Sequence, residues 1–398
     1  MPESTRVIAQ DILTKRFLHW DIRVSDLTVQ WNLSGPTAIS GNFPAELRDI
    51  RDIGLEPWAT WIHVEEDGVI RASGILQPAQ IDADETLTLD AAGPSAYAKG
   101  IPYLGKFLLS GTDSASGETG VGLGLDPADI VRAIWAELQS YPASNLGVTV
   151  VGETDAQVGT PKKEVSFTAS ADGATTGTTT TDTTTSQVDF TAGPYSALDW
   201  WEHKDCQSEI ESLAKETPFD FVERCAWNAA KTDVIHWIEL GYPRIGTTPT
   251  GVRFAQEENI IAAIGPEEPD DRYASHVVVL GKGEGTARIR GEASRPLRNR
   301  LRRVVVVEDK TIDSIQAANA IALDELNRRQ ALADVTEVTV HARHPNASLG
   351  SYDVGDDVPV AADIPWLGYL QLKQRVLSIV YTPASESVKL ALRSSSTF

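Results

Sequence analysis

The 398-residue chain holds two cysteines, Cys206 and Cys225, and a single methionine. So few thiols exclude a disulfide framework and a cysteine-based zinc site. The two lie on either side of a helix–turn-like stretch. Two buried free thiols are expected, with a bridge as the alternative. Basic residues are also scarce: 35 Lys and Arg face 56 Asp and Glu, a formal charge of -21. That balance opposes general binding to nucleic-acid backbones and anionic membranes, and it favours solubility. No apolar run reaches the ~18 residues of a membrane helix. Met1-Pro2-Glu3-Ser4 has no basic and apolar signal character, which predicts a chain made in a cytoplasm or exported without a signal.

Patterns that carry chemistry are missing too. The seven histidines are His19, His63, His203, His236, His276, His341 and His344, and none forms an H-E-x-x-H pair. His341 and His344, with Asp353, allow zinc only in principle; surface residues at a strand end before Pro345 are the plainer reading. His203, Asp205 and Cys206 crowd one short segment, which leaves little room to orient base and nucleophile together. Gly281-Lys282-Gly283-Glu284-Gly285 matches a phosphate loop only in glycine content, and its Glu repels phosphate. The carboxylates at 65–67, 257–258 and 267–271 fall in turns, with no pair singled out and no calcium-loop spacing. No catalytic, cofactor or metal site is therefore expected. Arg298, Arg300, Arg302 and Arg303 form the best basic patch, just before Val304–Val307. It reads as a strand edge or subunit contact, with a phosphate contact as the alternative.

What is present is apolar material for real cores, 41% of the chain, and ten tryptophans. The length allows roughly two to four domains. The fold class expected is mainly β with α+β insertions: two antiparallel barrels, residues 1–95 and 271–398, flanking a smaller α+β region, 96–270. In the first, Trp58–Val64 and Val69–Leu76 form a hairpin around Gly68, which is able to take positive φ. Closure into a barrel would remove exposed edges. In the middle, Asp126 is an N-cap with Pro127 at the first helical position. Ile130, Ile134 and Leu138 line one face of that helix. A second helix, Ser208–Glu216, precedes strands Phe219–Trp227 and Val234–Leu240. The Thr-rich stretch 168–186 is poor in large apolar groups and reads as an exposed loop, or as a projecting hairpin.

The last region predicts strands Val277–Leu280, Thr286–Arg290 and Val304–Val307. A helix Ser314–Arg329 follows, with Ile315, Ala318, Ala322, Leu323 and Leu326 on related faces. Then come strand Thr336–Ala342, the Val354-Gly355-Asp356-Asp357 turn, and strands at Val358–Val360, Gln371–Tyr381 and Ser387–Leu392. The candidate structural or interface residues are Trp58, Trp61, Gly68, Trp200, Trp201, Val354, Gly355 and Asp356. Trp58 and Trp61, three apart on a strand, are expected to face opposite ways. Trp200 and Trp201, being adjacent, also face differently. Aromatics on both faces suggest packing against a second layer or subunit, with a sugar platform as the rival.

The order of the Trp58–Leu76 hairpin, the α+β middle at Ser196–Leu240, the helix Ala317–Arg329 and the turn Val354–Asp357 resembles the tail hub proteins of long-tailed bacteriophages. The wider group includes contractile-tail baseplate hubs and the type VI secretion spike core. The resemblance implies two similar barrels per subunit, alternating in a homotrimer at the virion tail tip. That ring joins the tail tube to the tip and passes DNA without binding it specifically. It implies contacts with a distal tail protein, a tape measure protein and other minor tail proteins. An acidic wall suits passage of DNA. No peptidase or lysozyme module is visible, so an enzymatic role is not expected. The rival readings are a carbohydrate-binding tail-tip protein and a cell-wall hydrolase.

Overall fold

The computed structural model describes residues 5–43, 54–78, 87–108, 110–112, 119–121, 126–154, 165–166, 181–182, 197–199, 203–217, 219–261, 273–296, 301–310, 312, 314–330, 336–364 and 368–395. The first section holds β1 (Thr5–Asp11), β2 (Phe17–His19), β3 (Ser25–Asn32), β4 (Ala38–Asn42), β5 (Thr60–Glu66), β6 (Val69–Leu76) and β7 (Thr88–Ala92). Next come β8 (Lys106–Leu108), β9 (Ser110–Thr112), β10 (Thr119–Val121), α1 (Pro127–Leu138) and β11 (Val148–Val151). The short β12 (Val165–Ser166), β13 (Thr181–Asp182) and β14 (Ala197–Asp199) lead to α2 (Cys206–Glu216), β15 (Asp220–Trp227) and β16 (Val234–Gly241). The chain ends with β17 (Phe254–Ala255), β18 (His276–Leu280), β19 (Arg290–Ser294), β20 (Val304–Glu308), α3 (Ile315–Gln330), β21 (Glu337–His341), β22 (Asp357–Ile364), β23 (Gly368–Thr382) and β24 (Ser387–Ser394).

Local chemistry explains several of these elements. Between β5 and β6 the two turn residues, Asp67 (φ 53°) and Gly68 (φ 78°), both take positive φ, the twist that fits a two-residue hairpin. The Asp126 carboxylate accepts the Ala128 N–H at the start of α1, beside Pro127. Asp205 caps α2 in the same way, accepting from the N–H of Ser208. Ile130, Ile134, Trp135 and Leu138 of α1 and Ile210 and Leu213 of α2 are buried together with Phe221, Ile238 and Leu240. Both helices thus contribute to the core of the small sheet β11–β16–β15.

The mainly β architecture with α+β insertions is present, but the two barrels are not. Among the described residues no sheet closes on itself. Strands from both ends instead share one open, 12-stranded sheet. Its order is β17-β22-β23-β3-β4-β7-β6-β5-β1-β2, with β24 on β23 and β21 on β24. The join is the 15-residue β23. Its first half pairs β22 through Arg375↔Asp357, and its second half pairs β3 through Ile379↔Trp31. A register shift between Val376 and Ser378 separates the two halves on the β24 side, and such bulges bend a strand and re-aim it. Alternation along β1–β7 specifies which face is buried, not which strand is the neighbour. Here β3 is paired by a strand more than 300 residues away, which removes the pairing that a closed N-terminal barrel would need.

Two further expectations need correction. Thr286–Arg290 is not the return strand: Gly285–Ala287 is a 3-10 turn, and β19 starts only at Arg290. On α3, Ala318, Ala322 and Leu326 are buried, but Ile315 and Leu323 are exposed. The Thr-rich stretch 168–186 lies outside the described residues, apart from Thr181–Asp182, which pairs with Val165–Ser166. No helix among the described residues is long and apolar enough to cross a membrane.

Candidate functional site

The Val354–Asp357 turn is where three parts of the chain are fastened together. Gly355 has φ 91°, a conformation open to Gly at little cost. Its N–H donates to the Val376 carbonyl (2.7 Å). The Asp356 carboxylate accepts the Thr247 N–H (2.7 Å) with one oxygen and the Asp353 N–H (2.8 Å) with the other. Asp357 is almost fully buried, and its carboxylate takes Arg244 (2.8 Å), Ser395 (2.8 Å) and Lys373 (3.3 Å). Burial alone would raise its pKa, but the bonds from Ser395, Arg244 and Lys373 outweigh burial and hold the carboxyl below its ordinary range.

Arg375, also buried, ties this turn to the small sheet. Its guanidinium donates to Asp220 of β15, to the Ile245 carbonyl (2.9 Å) and to the Gly355 carbonyl (3.2 Å). Asp220 in turn accepts the Ile245 N–H (2.9 Å). Arg224 pairs with both Asp353 and Glu239. Val354 is fully buried among Val222, Val358, Val376 and Ile379. The turn therefore locks β15, the segment 244–247 and the β22–β23 pair into one rigid joint.

A second polar joint lies between the large and small sheets. Glu223 is buried, and its carboxylate accepts the N–H groups of Thr37 and Ser95, each at 2.6 Å. Nearby, His63 and His236 are buried and stacked with Trp61, whose ring centroid is 4.2 Å from that of His236. The Gln10 amide donates to the Lys15 carbonyl and to Asp233, so its oxygen faces His63 Nε2 at 3.1 Å. His63 Nε2 must then carry the proton, and Nδ1 accepts from the Ser73 hydroxyl (2.7 Å). Burial, helped by Lys15, pushes the His63 pKa down to about 3. Burial also holds His236 well below its ordinary value, with His63 and Lys15 adding to the effect. A cavity of about 220 Å³ beside this joint is lined by residues that include Trp31, Arg71, Glu223, Arg224, Cys225 and Tyr352.

The other candidates are dispersed. Trp58 is half-exposed and lies in a turn with φ 63°, just before β5, not on the strand; Trp61 is fully buried. Gly68 sits in the hairpin turn already described. Trp200 and Trp201 lie outside the described residues, as do Arg298 and Arg300; Arg302 and Arg303 are exposed. Cys206 and Cys225 are both free. Burial, with Asp205 and Glu137 adding to it, pushes the Cys206 thiol up to about 12, so it is no nucleophile at neutral pH. Both oxygens of Asp205 are engaged, one in capping α2 and the other by the Gly100 N–H. Asp353 is engaged by Arg224, and among the described residues no group of three or more His, Cys, Asp or Glu is placed to hold a metal. Sequence reasoning did not single out Glu223 or the His63–His236 stack. For His63 the signal was there: Trp61 and His63, two apart on a strand, share a face.

No known family matches the chain in sequence, and no curated protein does either. In three dimensions the chain is similar to the prophage MuSo2 43 kDa tail protein from Shewanella oneidensis, over 97% of each chain, with 13% identity and a TM-score of 0.55. It is also similar to the tail protein from Neisseria meningitidis MC58, over 98% of this chain and 96% of that one, with 12% identity and a TM-score of 0.52. The chain thus has the fold of these tail proteins over nearly its whole length.

Proposed function

We propose that the chain is a structural subunit of a phage tail: a hub protein, three copies of which form a ring joining the tail tube to the tip. The observation that carries this reading is the end-to-end likeness to two tail proteins, 97% and 98% of this chain. Two internal features support it. The joints at Arg375–Asp220 and at Glu223 brace the sections against one another, as a load-transmitting part requires. The charge of -21 suits a lumen through which DNA passes without sticking. In this reading the chain contacts a distal tail protein, a tape measure protein and other minor tail proteins, resides at the virion tail tip, and catalyses nothing.

Electron cryomicroscopy of particles, with antibody labelling of this chain, tests the proposal. Three copies around the tail axis at the tip are expected. Label on the capsid, or a ring of another symmetry, would reject the hub. One observation favours a second reading, a carbohydrate-binding tail-tip protein: half-exposed Trp20 stacks on Phe17 at 4.3 Å, with Trp227 6.2 Å away. Such aromatic faces suit sugar rings. Loss of adsorption on Trp20→Ala, with the tail intact, would select it.

A further inference from the structure

Native sheets protect their edges, because an unpaired row of N–H and C=O groups invites another strand. Most described edges here are protected. In the large sheet β2 has three residues and β17 two. The β21 edge is covered by backbone, with Ile261 N–H donating to the Thr339 carbonyl (2.8 Å) and His341 N–H to the Asn259 carbonyl (3.1 Å). In the small sheet the Gln139 amide caps both the N–H and the carbonyl of Val148 on β11. Ser34 bonds both backbone groups of Phe221 on β15. In the third sheet, ordered β19-β18-β20, the Asn319 side chain accepts the Glu292 N–H (3.0 Å) on β19.

The five-residue β20 is not protected in this way. It pairs β18 on one side, and its outer side has no partner among the described residues. Val305 and Val307 pack on the core beneath α3. Val304 and Val306 point the other way and are 44% and 54% exposed. Arg302, before the strand, and Glu308, at its end, share that open face by the two-residue period of an extended chain. Glu308 lies 3.3 Å from Arg288 yet keeps 59% of its side chain exposed.

The open face therefore reads Arg302, Val304, Val306, Glu308. A two-fold axis through an antiparallel pair of identical strands must place residues of the same face opposite each other. Centred on Val305, that pairing sets Val304 against Val306 and Arg302 against Glu308, twice over. Moving the centre one residue, to Val306, would set Val304 against Glu308 and Arg302 against Lys310, which charge disfavours. We propose that β20 is a docking edge for the β20 of a second copy of this chain, joining two three-stranded sheets into one of six strands in the free protein. This goes beyond the ring reading and does not depend on it, since the ring concerns three copies on the particle.

Light scattering of the purified full chain tests the inference. A mass approaching twice 43.1 kDa, rising with concentration and falling with salt, is expected. Arg302→Glu sets Glu opposite Glu308, and Glu308→Arg sets Arg opposite Arg302. Each should weaken self-association by about tenfold or more, and the double variant should restore it. Val306→Lys should give the 43.1 kDa species with an unchanged melting curve, because the side chain is already exposed. Singles that associate like the parent, a double variant that fails to recover, or a parent that stays at 43.1 kDa up to ~100 μM would each overturn the docking edge. Three copies on the particle would stand or fall separately.

Discussion

Gly355 and Ile245 approach so closely that a Cβ on Gly355 would lie 2.7 Å from the Ile245 carbonyl oxygen. The contact is backbone against backbone, and that carbonyl is already held by Arg375, so neither side yields cheaply. Gly355 also has φ 91°. Two penalties therefore add: about 1–2 kcal/mol for the backbone region and about 1–3 kcal/mol for the overlap. Gly355→Ala and Gly355→Asn should both destabilise the chain, and the tolerance of Asn for positive φ should not rescue it. Gly251 is the control, with φ 84° and open space around its Cβ position; Gly251→Ala should lose only the backbone part. Urea unfolding of the three variants checks this, and equal losses at 355 and 251 would refute the overlap.

The buried histidines predict acid lability in a defined window. The folded pKa of His63 is about 3, against ~6.5 in an unfolded chain. Between those values the unfolded state binds more protons, so stability falls as pH falls, by up to about 1.4 kcal/mol per pH unit for each such group. His236 acts in the same sense. Glu223 acts oppositely: burial raises its pKa despite the bonds from Thr37 and Ser95, so its contribution is lost as pH rises. Lys15 and Asp233 also face this cluster through Gln10. Comparing the parent with His63→Gln cancels the shared groups. Unfolding free energies from pH 7 to pH 4 should fall less steeply in the variant; parallel curves would show that His63 is not buried neutral.

The sequence made the Val354–Asp357 turn legible because Gly beside two carboxylates is a local signal, complete within four residues. The residues that give the turn its importance, Arg244, Ile245, Thr247 and Asp220, come from more than 100 positions away and leave no local trace. The same limit explains the barrels. Hydrophobic alternation in β1–β7 identified strands and faces, whereas the β3–β23 pairing depends on the length and bulge of β23. Helices α1 and α2 were readable from their caps and apolar spacing. On α3 the apolar spacing sets Ile315 and Leu323 on faces related to those of Ala318, Ala322 and Leu326, but the core takes the latter three, with Ala317 and Ile321 packed against it, and leaves Ile315 and Leu323 exposed. Glu223 alternates with Arg224 in a strand that looks half-solvated, so nothing local marks its burial.

Glu223 supplies the last prediction. Its two oxygens each accept a 2.6 Å bond, from Thr37 and Ser95 N–H groups that belong to the other sheet's loops. Gln is nearly isosteric but has only one acceptor oxygen, and its NH2 would face a backbone donor. Glu223→Gln should therefore cost about 1–3 kcal/mol, the usual penalty for a buried donor left unpaired. Gly93 gives an independent check. It has φ -59°, so Ala is free of backbone strain there. A Cβ at that position would overlap the Glu223 carboxylate and push it off its donors. Gly93→Ala should then destabilise by a similar amount, and the double variant should lose clearly less than the sum, because both changes disrupt the same carboxylate and its donors. Additive losses in denaturant titrations would mean that Gly93 and Glu223 act separately, and the carboxylate would not be the clamp between the sheets.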